Sequence, residues 1–312
     1  MKEQDSQISG NILKLIHHES FLKNKRKPIS AQLILTNRCN LKCCFCCIQY
    51  RGKHDSLTKD QVTKTLYTLA KLGCKGVEFT GGSEPTVHSF FPEAINLCHS
   101  LGMKPALVTN GVLLHKIPKE VLSKLDWIRI SINASKENYK KIHGFDFYDD
   151  VMKGLEKIVD MPISNKGISY IFCDETPISD VQNLLDDLQN KNLDYFRFSV
   201  DIFKQPEILN FKPNFNSSNL KVIYHSDRDT RIPEHCRIFY YKPVIDCTGL
   251  IYPCCTNMHK EIHPLGKIGE LESLFNNDIE LDTGKCHYCI YGDTNDLIYQ
   301  KENNKIKNID FI

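Results

Sequence analysis

Residues 36–47 read Thr-Asn-Arg-Cys-Asn-Leu-Lys-Cys-Cys-Phe-Cys-Cys, so that Cys39, Cys43 and Cys46 follow one another with three and then two residues between them. Three thiolates on one short loop leave a metal site one ligand short. Structural zinc takes four protein ligands, whereas a cubane iron-sulfur cluster held by three cysteines keeps one iron open for a ligand that is not protein. A second group comprises Cys236, Cys247, Cys254, Cys255, Cys286 and Cys289, with seventeen residues between Cys236 and Cys254 and two between Cys286 and Cys289. Four cysteines ending in Cys-x-x-Cys suit either a closed iron-sulfur cluster or tetrahedral zinc.

Fourteen cysteines in 312 residues would read as disulfides in a small secreted protein. Residues 1–20 carry acidic side chains and no long apolar stretch, and no later run reaches spanning length, so neither export nor membrane insertion is supported and a cytoplasmic protein is expected. Metal or cluster binding is the better account of the thiols. A formal charge of +2 shows no bias toward nucleic acid or anionic membrane, and the basic run from Lys23 to Lys27 reads as a solvated turn.

The elements that must position these thiols alternate in type. Apolar and β-branched runs predict strands at 31–36, 76–80, 104–109, 127–132, 167–173 and 195–203, and helical periodicity predicts helices near 58–72, 88–101, 118–125, 148–159 and 178–190. Ile8, Ile12, Leu15 and Ile16 recur at helical spacing, which predicts a capping helix within 1–30. Six strands separated by five helices argue for a parallel sheet with helices outside, open or curled into a partial barrel. Functional residues then belong at the C-terminal strand ends. Arg129, Ser131 and Asn133 alternate with Ile128, Ile130 and Ile132, and Arg197, Ser199 and Asp201 with Phe196, Phe198 and Val200, so each strand offers one polar face to a cavity. The Pro-, Asn- and Ser-rich stretch 204–232 reads as a linker, 233–293 as a compact cysteine-rich unit and 294–312 as a tail.

The cysteine triplet, with Phe45 before its last member, resembles the signature of the radical S-adenosylmethionine (SAM) enzymes. Thr80-Gly81-Gly82-Ser83-Glu84-Pro85 after strand two resembles that family's Gly-Gly-Glu-Pro element, with Ser83 in place of one glycine, and Thr109-Asn110-Gly111 matches a common strand-three ending. The resemblance covers about residues 30–200. It implies a partial (β/α)6 barrel over 31–203, an α/β fold, with a small C-terminal iron-sulfur domain. By the same resemblance Cys39, Cys43 and Cys46 hold a 4Fe-4S cluster whose open iron chelates SAM. Phe45, Gly81, Gly82, Ser83, Glu84, Asn110, Ser131 and Asn133 then surround SAM, Glu84 meeting its amino group and Ser131 and Asn133 its ribose and carboxylate. Cys44 and Cys47 fall outside the triplet spacing and read as packing or spare thiols.

The second group resembles the short form of the C-terminal extension of peptide-modifying and natural-product radical SAM enzymes, the twitch domain. That resemblance implies one auxiliary 4Fe-4S cluster on Cys236, Cys254, Cys286 and Cys289, with Cys247 or Cys255 as substitute ligands and zinc as the competing occupant. A closed cluster would accept the electron left on a substrate radical, giving an oxidised or cross-linked product. Asp201 is the candidate base, with Asp174 and Glu175 as competitors. Cys173, ending strand five, offers an alternative outcome, epimerisation by return of a hydrogen atom. A non-catalytic iron-sulfur or zinc-binding protein is the other alternative. Expected partners are a peptide or small-molecule substrate and a flavodoxin- or ferredoxin-type electron donor. The cyclase of molybdenum-cofactor synthesis shares the architecture but normally ends in Gly-Gly, where this sequence ends Asp310-Phe311-Ile312, and that assignment is set aside.

Overall fold

The computed structural model describes residues 14–23, 25–48, 54–173, 175, 177–201, 211–224, 231–287 and 289–303. In chain order they form α1 (Glu19–Leu22), β1 (Ser30–Leu33), α2 (Lys59–Lys71), β2 (Gly76–Phe79), α3 (Phe91–Ser100), β3 (Lys104–Thr109), α4 (Lys119–Leu122), β4 (Trp127–Ser131), α5 (Tyr139–His143), α6 (Tyr148–Val159), β5 (Asn165–Phe172), α7 (Ile178–Leu188), β6 (Tyr195–Val200) and β7 (Lys221–Tyr224). Then follow β8 (Val244–Ile245), β9 (Leu250–Tyr252), α8 (Cys255–Lys260), β10 (Gly266–Lys267), α9 (Leu271–Leu274) and α10 (Gly292–Glu302). Among the described residues no helix is long and apolar enough to cross a membrane.

Strands β1 to β7 pair in parallel and in sequence order, with helices crossing over between successive strands from β1 to β6. The helices bury one stripe each against them. In α2 this is Val62, Leu66 and Leu69, in α6 Val151, Leu155 and Ile158, and in α7 Val181, Leu184 and Leu188. Thr58 and Gln61 start α2 with a reciprocal capping box. Ile128 and Ile130 of β4 and Phe196 and Phe198 of β6 join this core. The alternating polar residues therefore line the opposite face of the sheet, inside the curve of the barrel.

The sheet does not stop at β1. Its order is β10-β9-β8-β1-β2-β3-β4-β5-β6-β7, and β8 lies parallel to β1, with Gln32 opposite Val244 and Leu33 opposite Ile245. The cysteine-rich region thus grows directly from the barrel's first edge. The stretch read as a linker contains β7, which pairs with β6 from Lys221 opposite Tyr195 to Tyr224 opposite Phe198. A four-residue strand between Pro- and Asn-rich flanks is too short to show a period. The stretch read as a tail begins inside α10, where Ile298 is fully buried and Lys301 Nζ donates to Phe21 O at 2.7 Å. Ile8, Ile12 and Asp174 lie outside the described residues.

Candidate active site

The loop after β1 carries the cysteine triplet and docks on α5, where Lys42 N donates to His143 O at 2.9 Å and Cys44 N to Ile142 O at 3.0 Å. His143 Nδ1 lies 3.1 Å from Cys43 Sγ, and its Nε2 lies 3.4 Å from Asn133 N. A backbone N–H can only donate, so Nε2 accepts and Nδ1 carries the hydrogen that faces the sulfur. Burial lowers the His143 pKa to about 4, which keeps the ring neutral. The ring packs against Tyr139 at a tilt of 31° with centroids 4.2 Å apart and meets Phe45 edge-on at 6.0 Å. No sequence signal marked His143, one histidine of twelve in a five-residue helix.

Burial pushes the Cys43 thiol above its usual range, and the neighbouring Cys39 and Cys46 sulfurs push it further. Thiolates this close and this dry need a cation between them, which the triplet's donor set suits. Cys39 stands at the exposed start of the loop, its sulfur accepting from Leu41 N at 3.4 Å and facing Asn110 Nδ2 at 3.9 Å.

Glu84, buried behind this loop, ties β2 to the end of β3. Its Oε1 accepts from Thr86 N at 3.0 Å, Thr86 Oγ1 at 2.6 Å and Thr109 Oγ1 at 2.7 Å, and its Oε2 accepts from Asn110 N at 2.7 Å. Burial pushes the carboxyl up against the pull of these donors. A Cβ on Gly81 would stand 2.1 Å from Ser83 O, so the turn needs glycine there. Ser83 meets no such limit, and its hydroxyl donates to Thr36 O, binding the loop to the end of β1. Gly111 takes φ +83° with Ile130 Cγ2 only 2.7 Å from where a Cβ would be. Half-buried Ser131 ends β4, and Asn133 Oδ1 accepts from Ile171 N at 2.8 Å, which extends the β4–β5 ladder.

Inside the barrel, Ser131 is opposite Ser169 and Ser169 opposite Arg197, while Arg129 is opposite Gly167. Trp127 Nε1 donates to Tyr195 Oη at 3.1 Å across Gly167, where a Cβ would stand 2.1 Å from the Tyr195 ring. Both aromatics begin their strands, so they close the barrel at the end away from the cysteines. Glu78 reinforces that floor, 3.3 Å from Lys242 Nζ and 3.2 Å from Gln32 Nε2. Burial alone would raise the Glu78 carboxyl, but Lys242 and Arg129 hold it below the usual range. The open end carries Cys173 and Asp201, both buried, with Asp201 N donating to Phe172 O at 3.0 Å. Cys47 is pushed up to about 12 by burial, then by Cys46, Asp201 and Cys255, so the first loop borders both Asp201 and the second cysteine group.

In that second group Cys236, Cys254, Cys286 and Cys289 converge. Burial raises the Cys236 thiol to about 12, and the Cys289 and Cys286 sulfurs add to it; Cys254 rises through burial, then through Cys255, Cys236 and Cys289. Two asparagines hold the set. Asn257 N donates to Cys254 Sγ at 3.5 Å, and Asn257 Oδ1 accepts from Cys286 Sγ at 3.6 Å. Asn295 Oδ1 accepts from Arg237 N at 2.6 Å and Ile238 N at 2.7 Å, while its Nδ2 faces Cys289 Sγ at 4.0 Å. Neither asparagine had a distinguishing sequence context. Cys247 packs instead in a small apolar cluster with Ile34, Val244, Tyr252 and Met258.

Residues 33–188 match the model of the radical SAM superfamily. A probable GTP 3',8-cyclase from Saccharolobus solfataricus is 31% identical over 144 residues, 45% of this chain and 46% of that protein. One from Pyrococcus abyssi is 32% identical over 137 residues, 42% and 44% of the two chains. The chain therefore spans under half the length of these curated relatives. Among solved structures, Streptococcus suis SuiB bound to S-adenosylmethionine superposes with a TM-score of 0.62 at 17% identity, over 89% of this chain and 73% of SuiB. SuiB bound to precursor peptide SuiA gives 0.61 at 17% identity, over 86% and 69%.

Proposed function

The chain belongs to the radical SAM superfamily, and on that premise we propose that it oxidises a peptide or small natural-product substrate by removing hydrogen from a C–H bond. The observation that carries this reading is the convergence of four C-terminal thiols beside the first cysteine loop. Tetrahedral zinc with bonds of about 2.3 Å sets its sulfurs about 3.8 Å apart. Four thiols ending in Cys-x-x-Cys suit zinc as well as a closed cluster, and membership of the radical SAM superfamily over residues 33–188 favours the cluster. When bound, SAM and its 4Fe-4S cluster supply a 5′-deoxyadenosyl radical, and a second, fully ligated cluster supplies a one-electron acceptor.

The chain's own residues do the rest. Cys39, Cys43 and Cys46 would ligate the first cluster, Glu84 would meet the methionine ammonium, and Ser131 and Asn133 would orient SAM. Arg129, Ser169, Arg197 and Ser199 line the substrate space above the Trp127–Tyr195 floor, which excludes water from below. Asp201 takes the proton released on oxidation. His143 donates Nδ1–H to the Cys43 sulfur, which stabilises the added electron and raises the reduction potential. His143→Phe keeps the ring packing and removes the donor. It is expected to lower the fraction reduced at a fixed solution potential about tenfold, about 59 mV for one electron, in a redox titration followed by electron paramagnetic resonance. His143→Asn, which keeps an N–H at the same reach, is expected to recover most of the shift, and an unmoved potential in the Phe variant would dismiss the role.

A second reading, cyclisation of a nucleotide, draws on the names of the curated relatives and on the inward Arg129 and Arg197, which suit phosphate. Anaerobic incubation of the reconstituted protein with SAM, reductant and either a precursor-peptide library or GTP separates the two. Product lighter by two hydrogens supports oxidation; consumption of GTP alone transfers the assignment to the cyclase class.

A further inference from the structure

We propose that Cys44, Cys173 and Glu175 form a further metal site, distinct from both cluster sites, for one thiophilic divalent cation of the zinc class. Their ligand atoms all lie within 4.8 Å of one another. The two sulfurs are 3.9 Å apart, against about 3.8 Å for two thiolates on one tetrahedral zinc. They are too far apart for a disulfide, whose sulfurs bond at about 2.05 Å.

The fold builds this spacing from two independent segments. Cys44 sits on the loop after β1, fixed through Cys44 N to Ile142 O at 3.0 Å. Cys173 follows β5 directly and is buried, and Glu175 comes two residues later. Cys43 turns its sulfur to His143 while the adjacent Cys44 turns its own to Cys173, so neighbouring thiols serve different sites. Two thiolates and one carboxylate leave a fourth position open at the barrel mouth, the arrangement of zinc sites that bind an exchangeable ligand.

Binding is not a redox step: each thiol releases one proton to solvent and each sulfur donates a lone pair to the cation. The consequence reaches the reaction. A metal-bound Cys173 has no S–H hydrogen to return to a substrate radical, so an occupied site excludes epimerisation through Cys173.

The test uses the full chain, reconstituted with iron and sulfide, loaded with zinc and dialysed. About one zinc per chain is expected, and zinc-edge X-ray absorption should find two sulfurs at about 2.3 Å with oxygen at about 2.0–2.2 Å. Cys173→Ser and Glu175→Gln should each weaken zinc retention at least tenfold while iron stays at the wild-type value. Glu175→Gln keeps the side chain's size and alters no cysteine, so a folding defect in the Cys173 variant leaves it decisive. Absence of retained zinc, an all-sulfur shell, or zinc retention at the wild-type level in both variants would overturn the site. No substrate enters these measurements, so their outcome is separate from that of the oxidation assay.

Discussion

Cys39→Ala is expected to abolish 5′-deoxyadenosine formation from SAM and to lower iron from about eight to about four per chain. Cys39 opens the loop whose Cys43 and Cys44 contact α5, and the two remaining sulfurs would hold only two of the four irons. The effect should be all-or-none because reductive cleavage of SAM has no alternative route in the protein. Cys98→Ala is the matched control, since Cys98 is fully buried in α3 and packs in the core. It should retain all iron and most of the activity, at a cost in stability of about 1 kcal/mol for one small group removed. Iron and deoxyadenosine are read from the same anaerobic preparation. Undiminished deoxyadenosine in Cys39→Ala would remove the triplet from the chemistry.

The spacing of these thiols is where sequence suffices. Ligand spacing is local, so Cys39, Cys43 and Cys46 declare themselves within eight residues, and the strand alternation at Ile128 to Asn133 declares its faces over six. The Gly81 turn is legible for the same reason. What supports these residues is not local. His143 reaches Cys43 across a hundred positions, Asn295 joins Cys289 to the backbone beside Cys236, and Cys173 meets Cys44 only because β5 ends level with the first loop. Single His, Asn and Cys residues carry no period and no spacing by which to be found. The same holds for β8, two residues long, whose pairing with β1 depends on the barrel edge being open. Packing decides these contacts, and packing is a property of the fold rather than of any window of sequence.

Cys289→Ala should also lose about four irons, yet with the opposite chemical result. Deoxyadenosine should continue to form, because the cluster loop, Glu84 and the Asn110 turn are untouched, while oxidised substrate should fall by more than a hundredfold. A substrate radical that cannot pass its electron on must recombine or take back hydrogen. Asn295→Ala removes the side chain between Cys289 and the Arg237 and Ile238 amides without removing a ligand, and should cost about 10–100-fold, the range for a group that orients a metal ligand. Product and deoxyadenosine are quantified together by mass spectrometry. Coupled loss of both in Cys289→Ala would mean that the second site serves folding alone. Persistent product would mean that the electron leaves by another path. Only a fall in product with deoxyadenosine maintained fits a closed second cluster that works after hydrogen abstraction, and that dissociation is what distinguishes Cys289→Ala from Cys39→Ala at equal loss of iron.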